Sequence, residues 1–305
     1  MSTTLGDTPE PAAAASILSP SPRPSGGLRF AYNTNGAANH RLSDAIALIA
    51  VAGYDGVALT LDHHHLDPLE DGWVQRTEAL ARDLHARSLG CVIETGARFL
   101  LDPRRKHEPT LLTPHAEGRA RRVAFLQRAV DIGQILGAEA VSFWAGVPLP
   151  GVDRGEAAEW LVEGVEQVLD HAARRGVTAA LEPEPGMLVE TLDDWSLLQA
   201  RLPQLKLALD LGHCLVTQER EPAAAVGEFA AQLGTVAIED MRRGDHTHLP
   251  FGEGDMDIPA CLDALEAIGF ARLVCVELSR ESHRADRMIP QSLDWLLRCR
   301  EERTA

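Results

Sequence analysis

The sequence lacks a long hydrophobic run, since no stretch approaches the ~20 consecutive apolar residues that a membrane-spanning helix requires. It also lacks the basic segment followed by an apolar one that begins a secretory signal. The five cysteines show no C-x-x-C spacing, and Cys91 and Cys275 lie in apolar, strand-like runs that are typical of core positions. These absences predict a cytoplasmic protein without a membrane partner.

Basic residues are few relative to acidic ones. The chain has 29 lysines and arginines against 45 aspartates and glutamates, which gives a formal net charge of −16. A surface of that sign repels the phosphate backbone of nucleic acids and the headgroups of anionic lipids. We therefore expect no nucleic-acid partner.

The first 27 residues differ in composition from the rest of the chain. They are rich in proline, alanine, serine and threonine, and a segment of this kind cannot bury a hydrophobic core. We predict a disordered tail over residues 1–27 and one folded domain over residues 28–305. A single α/β barrel commonly reaches the size of that domain.

From residue 28 onward, short β-prone runs alternate with longer amphipathic segments. Most of the runs are continuously apolar, as expected for parallel strands that are covered on both faces. Eight such units predict a (β/α)8 TIM barrel. An open doubly wound sheet is disfavoured, because no glycine-rich phosphate fingerprint follows the first strand. The predicted strands are 28–32, 56–61, 91–94, 138–143, 177–182, 206–210, 235–239 and 273–277.

Glycines and helical periodicity mark the segments between the strands. Helices are predicted over 117–136 and 157–174, and the arginines within 119–122 are expected on an exposed helix face. Four glycines follow predicted helices at positions suited to a helix C-cap. They are Gly53, Gly137, Gly176 and Gly269.

Carboxylates close three of the apolar strands. Glu182 ends the fifth predicted strand, Asp210 the sixth and Glu277 the eighth. Because an unpaired charge in such a position is costly, and because chemistry in these barrels collects at the C-terminal strand ends, the three side chains are expected to converge. His246 and His248 follow the seventh strand. Oxygen and nitrogen ligands of this kind predict a site for one divalent metal ion, either Mn²⁺, Zn²⁺, Co²⁺ or Mg²⁺.

Four short motifs in a fixed order give the chain a family resemblance. They are Leu181-Glu182-Pro183, Asp210-Leu211-Gly212-His213, the Gly252-Glu253-Gly254 loop with an acidic residue and Ile258 after it, and the strand-terminal Glu277. With them the chain resembles the xylose-isomerase-like TIM barrels, a superfamily of sugar and sugar-phosphate isomerases and epimerases that includes enzymes of the endonuclease IV type. The resemblance extends from residue 28 to residue 297.

The resemblance implies a set of roles and also shows one departure. It implies that Glu182, Asp210 and Glu277 bind the metal and that His213 lies beside the substrate or a second metal. Members of the family carry a ligand histidine three residues before the aspartate of strand seven, and this sequence has Ala237 there. Alanine cannot ligate, so either a neighbouring histidine, His248 or His246, or a water molecule takes over the missing contact, or the site is weakened and activity is lost.

Other strand ends supply candidates for substrate binding. One histidine of the run 63–65 is expected to face the site, with His64 or His65 preferred. Glu94 is expected to contact substrate or to pair with Arg98. Trp144 offers a flat wall for a sugar ring or else packs in the core. Arg280 is a candidate for binding an anionic group. Glu184 and Glu190 are interpreted as carboxylates near a helix N-terminus.

Together these observations lead to a functional hypothesis. The chain is expected to act on a small carbohydrate-like molecule, such as a sugar, sugar phosphate, cyclitol or keto acid, as a metal-dependent isomerase or epimerase. Glu182 and Glu277 would move the proton through a metal-stabilised enediolate. The alternatives are a metal-dependent phosphoesterase of the endonuclease IV type and a barrel that binds a ligand or partner without catalysis. A homodimer or homotetramer is a further expectation.

Overall fold

The structure is a computed structural model that describes residues 27–304, so the predicted tail lies outside the described residues except for Gly27. Eight parallel strands form a closed barrel in the order β1-β10-β7-β6-β5-β4-β3-β2. The predicted TIM barrel is therefore confirmed. The barrel strands are β1 Arg29–Asn33, β2 Gly56–Thr60, β3 Gly90–Glu94, β4 Val141–Trp144, β5 Ala179–Glu182, β6 Lys206–Asp210, β7 Leu233–Ile238 and β10 Leu273–Val276.

Helices follow the strands and surround the barrel. They are α1 Leu42–Ala52, α2 Trp73–Ala86, α3 Ala116–Leu136, α4 Arg154–Arg175, α5 Leu192–Arg201, α6 Leu211–Thr217, α7 Pro222–Glu228, α8 Ile258–Ala267 and α9 Ala285–Thr304, with short 3-10 turns at Thr34–Ala37 and Ser282–Arg284. Within residues 27–304, no helix combines the length and the apolar character that crossing a bilayer would require.

The strands form because their residues are apolar on both faces. All residues of β2 and β10 are buried, with one face against the helices and the other toward the barrel axis. Small side chains fill the axis at the N-terminal side, where Ala31, Ala58 and Cys275 pack together with Val92 and Leu273. The larger core lies between the strands and the helices. This filling leaves the C-terminal mouth of the barrel as the place for polar groups.

One element was absent from the sequence expectations. Strands β8 Asp240–Arg242 and β9 Asp245–Leu249 form an antiparallel hairpin directly after β7, with Gly244 in the turn at φ +72°. Its residues are charged, histidine-rich and mostly half exposed, so they show no apolar alternation from which a strand could be predicted.

The predicted helix ends are confirmed, but one predicted exposed residue is buried. The four C-cap glycines all have positive φ values between 64° and 95°. Arg122, however, is 0% exposed. Its guanidinium carbon lies 4.4 Å from the ring centre of Trp144, and its Nη2 donates to the carbonyl oxygen of Thr95 at 3.2 Å. Burial lowers the pKa of Arg122 to about 9. The aromatic ring and the carbonyl oxygen compensate in part for the water that the side chain has lost.

Candidate metal centre at the barrel mouth

The polar residues of strands β5, β6 and β7 meet at one mouth, because the strands run parallel. Glu182 is the last residue of β5, Asp210 is the last residue of β6, and Glu239 directly follows β7. Asp210 also begins α6, where its Oδ1 accepts a hydrogen bond from the backbone N–H of His213 at 3.1 Å. Its other oxygen, Oδ2, is buried and accepts no hydrogen bond from any residue that the structure describes. The helix cap thus fixes the carboxylate and leaves one oxygen free to bind.

His213 is held in one orientation by the backbone. Its Nδ1 lies 3.0 Å from the carbonyl oxygen of Pro183, which only accepts hydrogen bonds, so Nδ1 carries the proton. In the neutral ring Nε2 is then unprotonated. This atom lies 3.6 Å from Oδ2 of Asp210 and 3.9 Å from Oε2 of Glu184. A backbone contact that sets the tautomer and points the other nitrogen into a site is the usual support of a metal-binding histidine.

The hairpin brings two more imidazoles to the same place. His246 and His248 are two residues apart on β9, so their side chains leave the same face of the strand. Nε2 of His246 lies 3.0 Å from Nε2 of His213, and one nitrogen from each of the three histidines lies within 4.8 Å of the others. Burial, and then the charge of His213, lowers the pKa of His246 to about 4. The ring is therefore neutral at pH 7 and able to ligate.

Two carboxylates of the site were missed from the sequence. Glu239 is 0% exposed, and its Oε2 lies 3.9 Å from Nδ1 of His248. Within residues 27–304, neither of its carboxylate oxygens has a hydrogen-bond partner. Its position directly after an apolar strand could have indicated it, as it did for Glu182. Glu184 is not near a helix N-terminus as expected, because α5 begins only at Leu192. Its carboxylate instead faces His213 and His246, at 3.9 and 3.8 Å.

Crowding of these carboxylates changes their protonation. Burial, and then the negative charges of Glu184 and Glu94, raises the pKa of Glu182 well above its usual value. Burial, and then the charge of Asp210, also raises the pKa of Glu239 well above its usual value. Burial alone would raise the pKa of Asp210, but the nearby imidazoles of His213 and His248 lower it below its usual value. The mouth thus has an excess of negative charge that a bound cation would relieve.

Two predicted residues lie at the same mouth but outside the histidine cluster. Oε1 of Glu277 accepts a hydrogen bond from Nδ2 of Asn35 at 2.8 Å, and among the described residues Glu277 belongs to no group of close ligand atoms. Arg280 is exposed, and its charge acts on His246. Ala237 is level with Asp210 in the pairing of β6 and β7, so the position of the missing histidine does face this region.

Glu94 lines the barrel interior together with Glu182, and in the described part of the chain it forms no ion pair with Arg98. Burial, and then the charge of Glu277, raises the pKa of Glu94 to about 8.

The two histidines preferred from the run 63–65 differ in their contacts. Nε2 of His64 is buried without a hydrogen-bond partner among the described residues, whereas His65 contacts the carbonyl oxygen of His40 at 3.2 Å.

Trp144 lies within the protein rather than on an open wall. Only 7% of the residue is exposed. The edge of its ring meets His107 at a centroid separation of 5.1 Å, and the guanidinium of Arg122 lies over it. Of the two expectations for this side chain, the structure shows the packing contact.

The glycine-rich motif supports the hairpin. Both Gly252 and Gly254 donate their backbone N–H groups to Oδ2 of Asp240 at 2.9 Å, and Met256 donates to Oδ1 at 3.1 Å. A Cβ atom on Gly254 would lie 2.5 Å from the carbonyl oxygen of Met241, so no other residue fits there without displacement of the backbone. The motif therefore ties the loop after β9 to the start of β8 and positions the two hairpin histidines.

These donors suit a divalent transition metal. The ligand atoms of His213, His246 and His248 lie within 4.8 Å of one another, and Asp210 is equally close to His213 and to His248. The ligand atoms of Glu182, Asp210 and His213 form a further group of this kind. Oδ2 of Asp210, both oxygens of Glu239 and Nδ1 of His248 are buried without a hydrogen-bond partner among the described residues. Each such atom costs roughly 1–3 kcal/mol unless something binds it. The residues present therefore fit a metal ion.

Comparisons with known proteins agree with this fold. The profile of the xylose isomerase-like TIM barrel family matches residues 46–299. The L-ribulose-5-phosphate 3-epimerase UlaE of Shigella flexneri is 23% identical over 256 residues, which cover 78% of this chain and 82% of that protein. The solved structure of an L-ribulose 3-epimerase superposes with a TM-score of 0.72 at 19% identity, over 91% of this chain and 97% of its own.

A second solved structure, that of the IolI protein with a bound zinc atom, superposes with a TM-score of 0.70 at 18% identity, over 89% of this chain and 98% of its own. At such identities the structural matches show the common fold. The family profile covers most of the chain, from before the end of α1 into α9. This chain belongs to the xylose isomerase-like TIM barrel family.

Proposed function

We propose that the chain is a divalent-metal-dependent epimerase or isomerase of a sugar or sugar phosphate. The observation that carries the proposal is the cluster of His213, His246 and His248. His213 and His248 also offer ligand atoms within 4.8 Å of Asp210, whose Oδ2 is buried without a hydrogen-bond partner among the described residues. The Shigella flexneri relative is an L-ribulose-5-phosphate 3-epimerase, which supports this substrate class.

The proposed metal ligands differ from those expected from the sequence, which were Glu182, Asp210, Glu277, His246 and His248. His213, His246, His248 and Asp210 would hold it, with Glu182 or Glu239 completing the set. A bound divalent cation polarises the carbonyl of a hydroxy-ketone and makes the adjacent C–H more acidic. Imidazole ligands favour Zn²⁺ or Co²⁺ over Mg²⁺, which prefers oxygen.

Glu182 and Glu277 would carry the proton. Burial and the neighbouring carboxylates raise the pKa of Glu182, which is the direction that favours a general acid. Asn35 fixes the orientation of the Glu277 carboxylate by donating to its Oε1, as a positioned base requires. One of the two groups, as a carboxylate, would remove the proton beside the carbonyl. The other, as a carboxylic acid, would donate its own proton to the opposite face or to the neighbouring carbon. Glu182 ends β5 and Glu277 directly follows β10, and β6 and β7 lie between these two strands in the barrel.

The test combines metal analysis with proton exchange. Purified protein is stripped, reloaded with Zn²⁺, Co²⁺, Mn²⁺ or Mg²⁺, and incubated in D₂O with a panel of ketoses and ketose phosphates. NMR spectroscopy then detects deuterium at the carbon beside the carbonyl. We expect exchange with at least one metal, and a loss of about 100-fold or more in Glu182→Gln and in Glu277→Gln.

Glu166→Gln is the matched control, because Glu166 is an exposed carboxylate on α4, outside the barrel mouth. Full exchange in Glu182→Gln would contradict the assigned acid–base pair. A metal-loaded protein that exchanges no proton of any substrate in the panel would contradict the epimerase proposal and favour a barrel that binds without catalysis.

A metal-dependent phosphoesterase is the second candidate function. It is favoured by a further group of close ligand atoms from Asp62, His63 and His64, in addition to the histidine cluster. Several metals per chain, together with hydrolysis of a phosphate ester, would support this candidate over the epimerase. The net charge of −16 disfavours a nucleic acid as its substrate.

A further inference from the structure

A second polar feature lies at the same mouth of the barrel. An open cleft of about 510 Å³ is lined by the loop that follows β1, by the loop that follows β2 and by the segment after β3. Because all barrel strands are parallel, these three connections leave the same end of the barrel as Glu182 and Asp210. We call this feature the basic cleft, and its charged or titratable lining residues are His40, Arg41, His63, His64 and Arg98.

The charge of the basic cleft is unusual for this chain. In a protein with a net charge of −16, no acidic residue among the described ones lines it. Neither Arg41 nor Arg98 forms an ion pair within 4.0 Å with a described acidic residue. Because neither guanidinium group pairs with a described carboxylate, both are available to an external anion. A guanidinium group can donate two parallel hydrogen bonds to such an anion.

Unpartnered imidazole atoms provide an independent observation. Nδ1 of His40 and Nε2 of His64 are enclosed and have no hydrogen-bond partner in the described part of the chain. The neighbouring histidines are already engaged, since His63 contacts Asp62 at 2.8 Å and His65 contacts the carbonyl oxygen of His40 at 3.2 Å. A small shift of these loops around a bound group would give the two free nitrogen atoms a partner.

We propose that the basic cleft binds the phosphate group of a phosphorylated ketose, with Arg98 and Arg41 as its main ligands and His64 beside them. This inference rests on the proposed function, because it assigns the substrate class of the same barrel mouth. The sugar would extend from the cleft toward Glu182 and Glu277, and the phosphate would remain outside the region in which the proton moves.

A cation is the competing occupant of part of this cleft. Asp62, His63 and His64 offer ligand atoms within 4.8 Å of one another. The charge of Asp62 acts on His64 more strongly than that of Arg98 and would attract a cation. Asp62, however, does not line the cleft, whereas Arg41 and Arg98 do, and both would repel a divalent ion there. The arginines therefore favour the anion, and the experiment treats the cation as an opposing outcome.

The first arm of the test measures binding without catalysis. Inorganic phosphate is titrated by calorimetry into metal-loaded wild-type protein, Arg98→Gln, Arg41→Gln and the control Arg121→Gln. Arg121 is an exposed arginine on α3 and does not line the cleft. We expect the Kd to rise about tenfold in each cleft variant and to stay unchanged in the control. In His248→Asn the phosphate affinity should persist, which separates the cleft from phosphate bound at the metal centre.

The second arm uses turnover. The ratio of kcat/KM for a ketose phosphate to that for the unphosphorylated ketose should fall about tenfold in Arg98→Gln, with partial recovery in Arg98→Lys. The kcat/KM for the unphosphorylated sugar is measured in the same variants as the reference for this ratio. If no sugar reacts at all, the proposed function fails, while the phosphate titration still decides the role of the cleft.

Two results would overturn the proposal. One is a phosphate affinity that is the same in wild type, Arg98→Gln and Arg41→Gln. The other is a second bound metal per chain that disappears in His64→Asn, since the loop would then hold a cation.

Discussion

The Nε2 atoms of His213 and His246 lie 3.0 Å apart, with the carboxylates of Asp210 and Glu184 next to them. Because Nδ1 of His213 donates to the carbonyl oxygen of Pro183, its Nε2 is an acceptor, and the contact requires either a proton on His246 or a cation shared by both rings. A cation shared by both rings would also relieve the excess of negative charge around the pair. This relationship links α6, which carries His213, to the hairpin, which carries His246.

Removal of the His213 ring should remove the metal. In His213→Asn we expect the metal affinity to fall by about 100-fold or more, because one ligand and the backbone-fixed tautomer are both lost. Competition with a chromophoric chelator measures the affinity. His85→Asn is the control, since His85 is exposed on α2. Equal metal affinity in both variants would show that the cation, if any, lies elsewhere.

Glu239→Gln tests whether this buried carboxylate is a ligand. We expect the metal affinity to fall about tenfold. The free energy of unfolding of the metal-free protein at pH 7 should not fall, because the neutral amide lacks the charge that burial makes unfavourable in Glu239. Urea denaturation in the presence of a chelator measures the second quantity. A large loss of stability without the metal, and unchanged affinity with it, would indicate a structural role instead.

Gly212→Ala should disturb the site through packing. A Cβ atom at this position would lie 2.8 Å from Cγ of Met241 and closer still to Oε1 of Glu239. We expect a loss of about 1–3 kcal/mol in the free energy of unfolding together with weaker metal binding. Gly227→Ala is the matched control, because no atom lies within 4 Å of a Cβ there. That substitution, within α7, should stabilise the protein by about 0.5–1 kcal/mol. A Gly212 variant as stable as the wild type would contradict the crowding.

The stability of the metal-free protein should fall as the pH rises. Burial and the charge of Glu277 raise the pKa of Glu94 from 4.5 to about 8, so the folded state keeps a proton that the unfolded state releases. The contribution of Glu94 to stability is therefore complete below pH 4.5 and is lost as the pH rises through about 8. Urea titrations in a chelator between about pH 5 and about pH 8.5 measure the slope.

Glu94→Gln has no titrating carboxyl group and should show a flatter slope. Saturating metal should also flatten the slope of the wild type, since the cation stabilises the charged carboxylates around it. A slope that is the same in wild type and Glu94→Gln would show that Glu94 titrates normally in the folded protein.

The barrel could be predicted closely from the sequence because its strands are continuous apolar runs. The predicted strand 206–210 coincides with β6, and the strand predicted at 273–277 differs from β10 by one residue. Helix α3 was predicted from residue 117 and begins at Ala116. The hairpin β8–β9 was not predicted, because its half-exposed polar residues carry no hydrophobic period.

The candidate site was predictable only in part. Strand-end position indicated Glu182 and Asp210, since the C-terminal ends of parallel strands share one mouth. The same rule applies to Glu239, which ends the predicted strand 235–239. Glu239 was not among the predicted ligands, because the resemblance placed the missing ligand of this strand at Ala237. Arg122 was expected on the surface, because an arginine in a helix is exposed in most proteins. Only its contacts with Trp144 and Thr95 account for its burial.

The sequence by itself determined the closed barrel and the end of the barrel at which the carboxylates gather. The hydrophobic period of each segment and the succession of strands and helices can both be read along the chain. Only the tertiary structure decided which imidazoles converge. The separation of 3.0 Å between His213 and His246 depends on a helix cap at Asp210 and on a hairpin held by Asp240, two contacts made by distant parts of the chain. Distances of this kind arise from packing, and no spacing along the sequence encodes them.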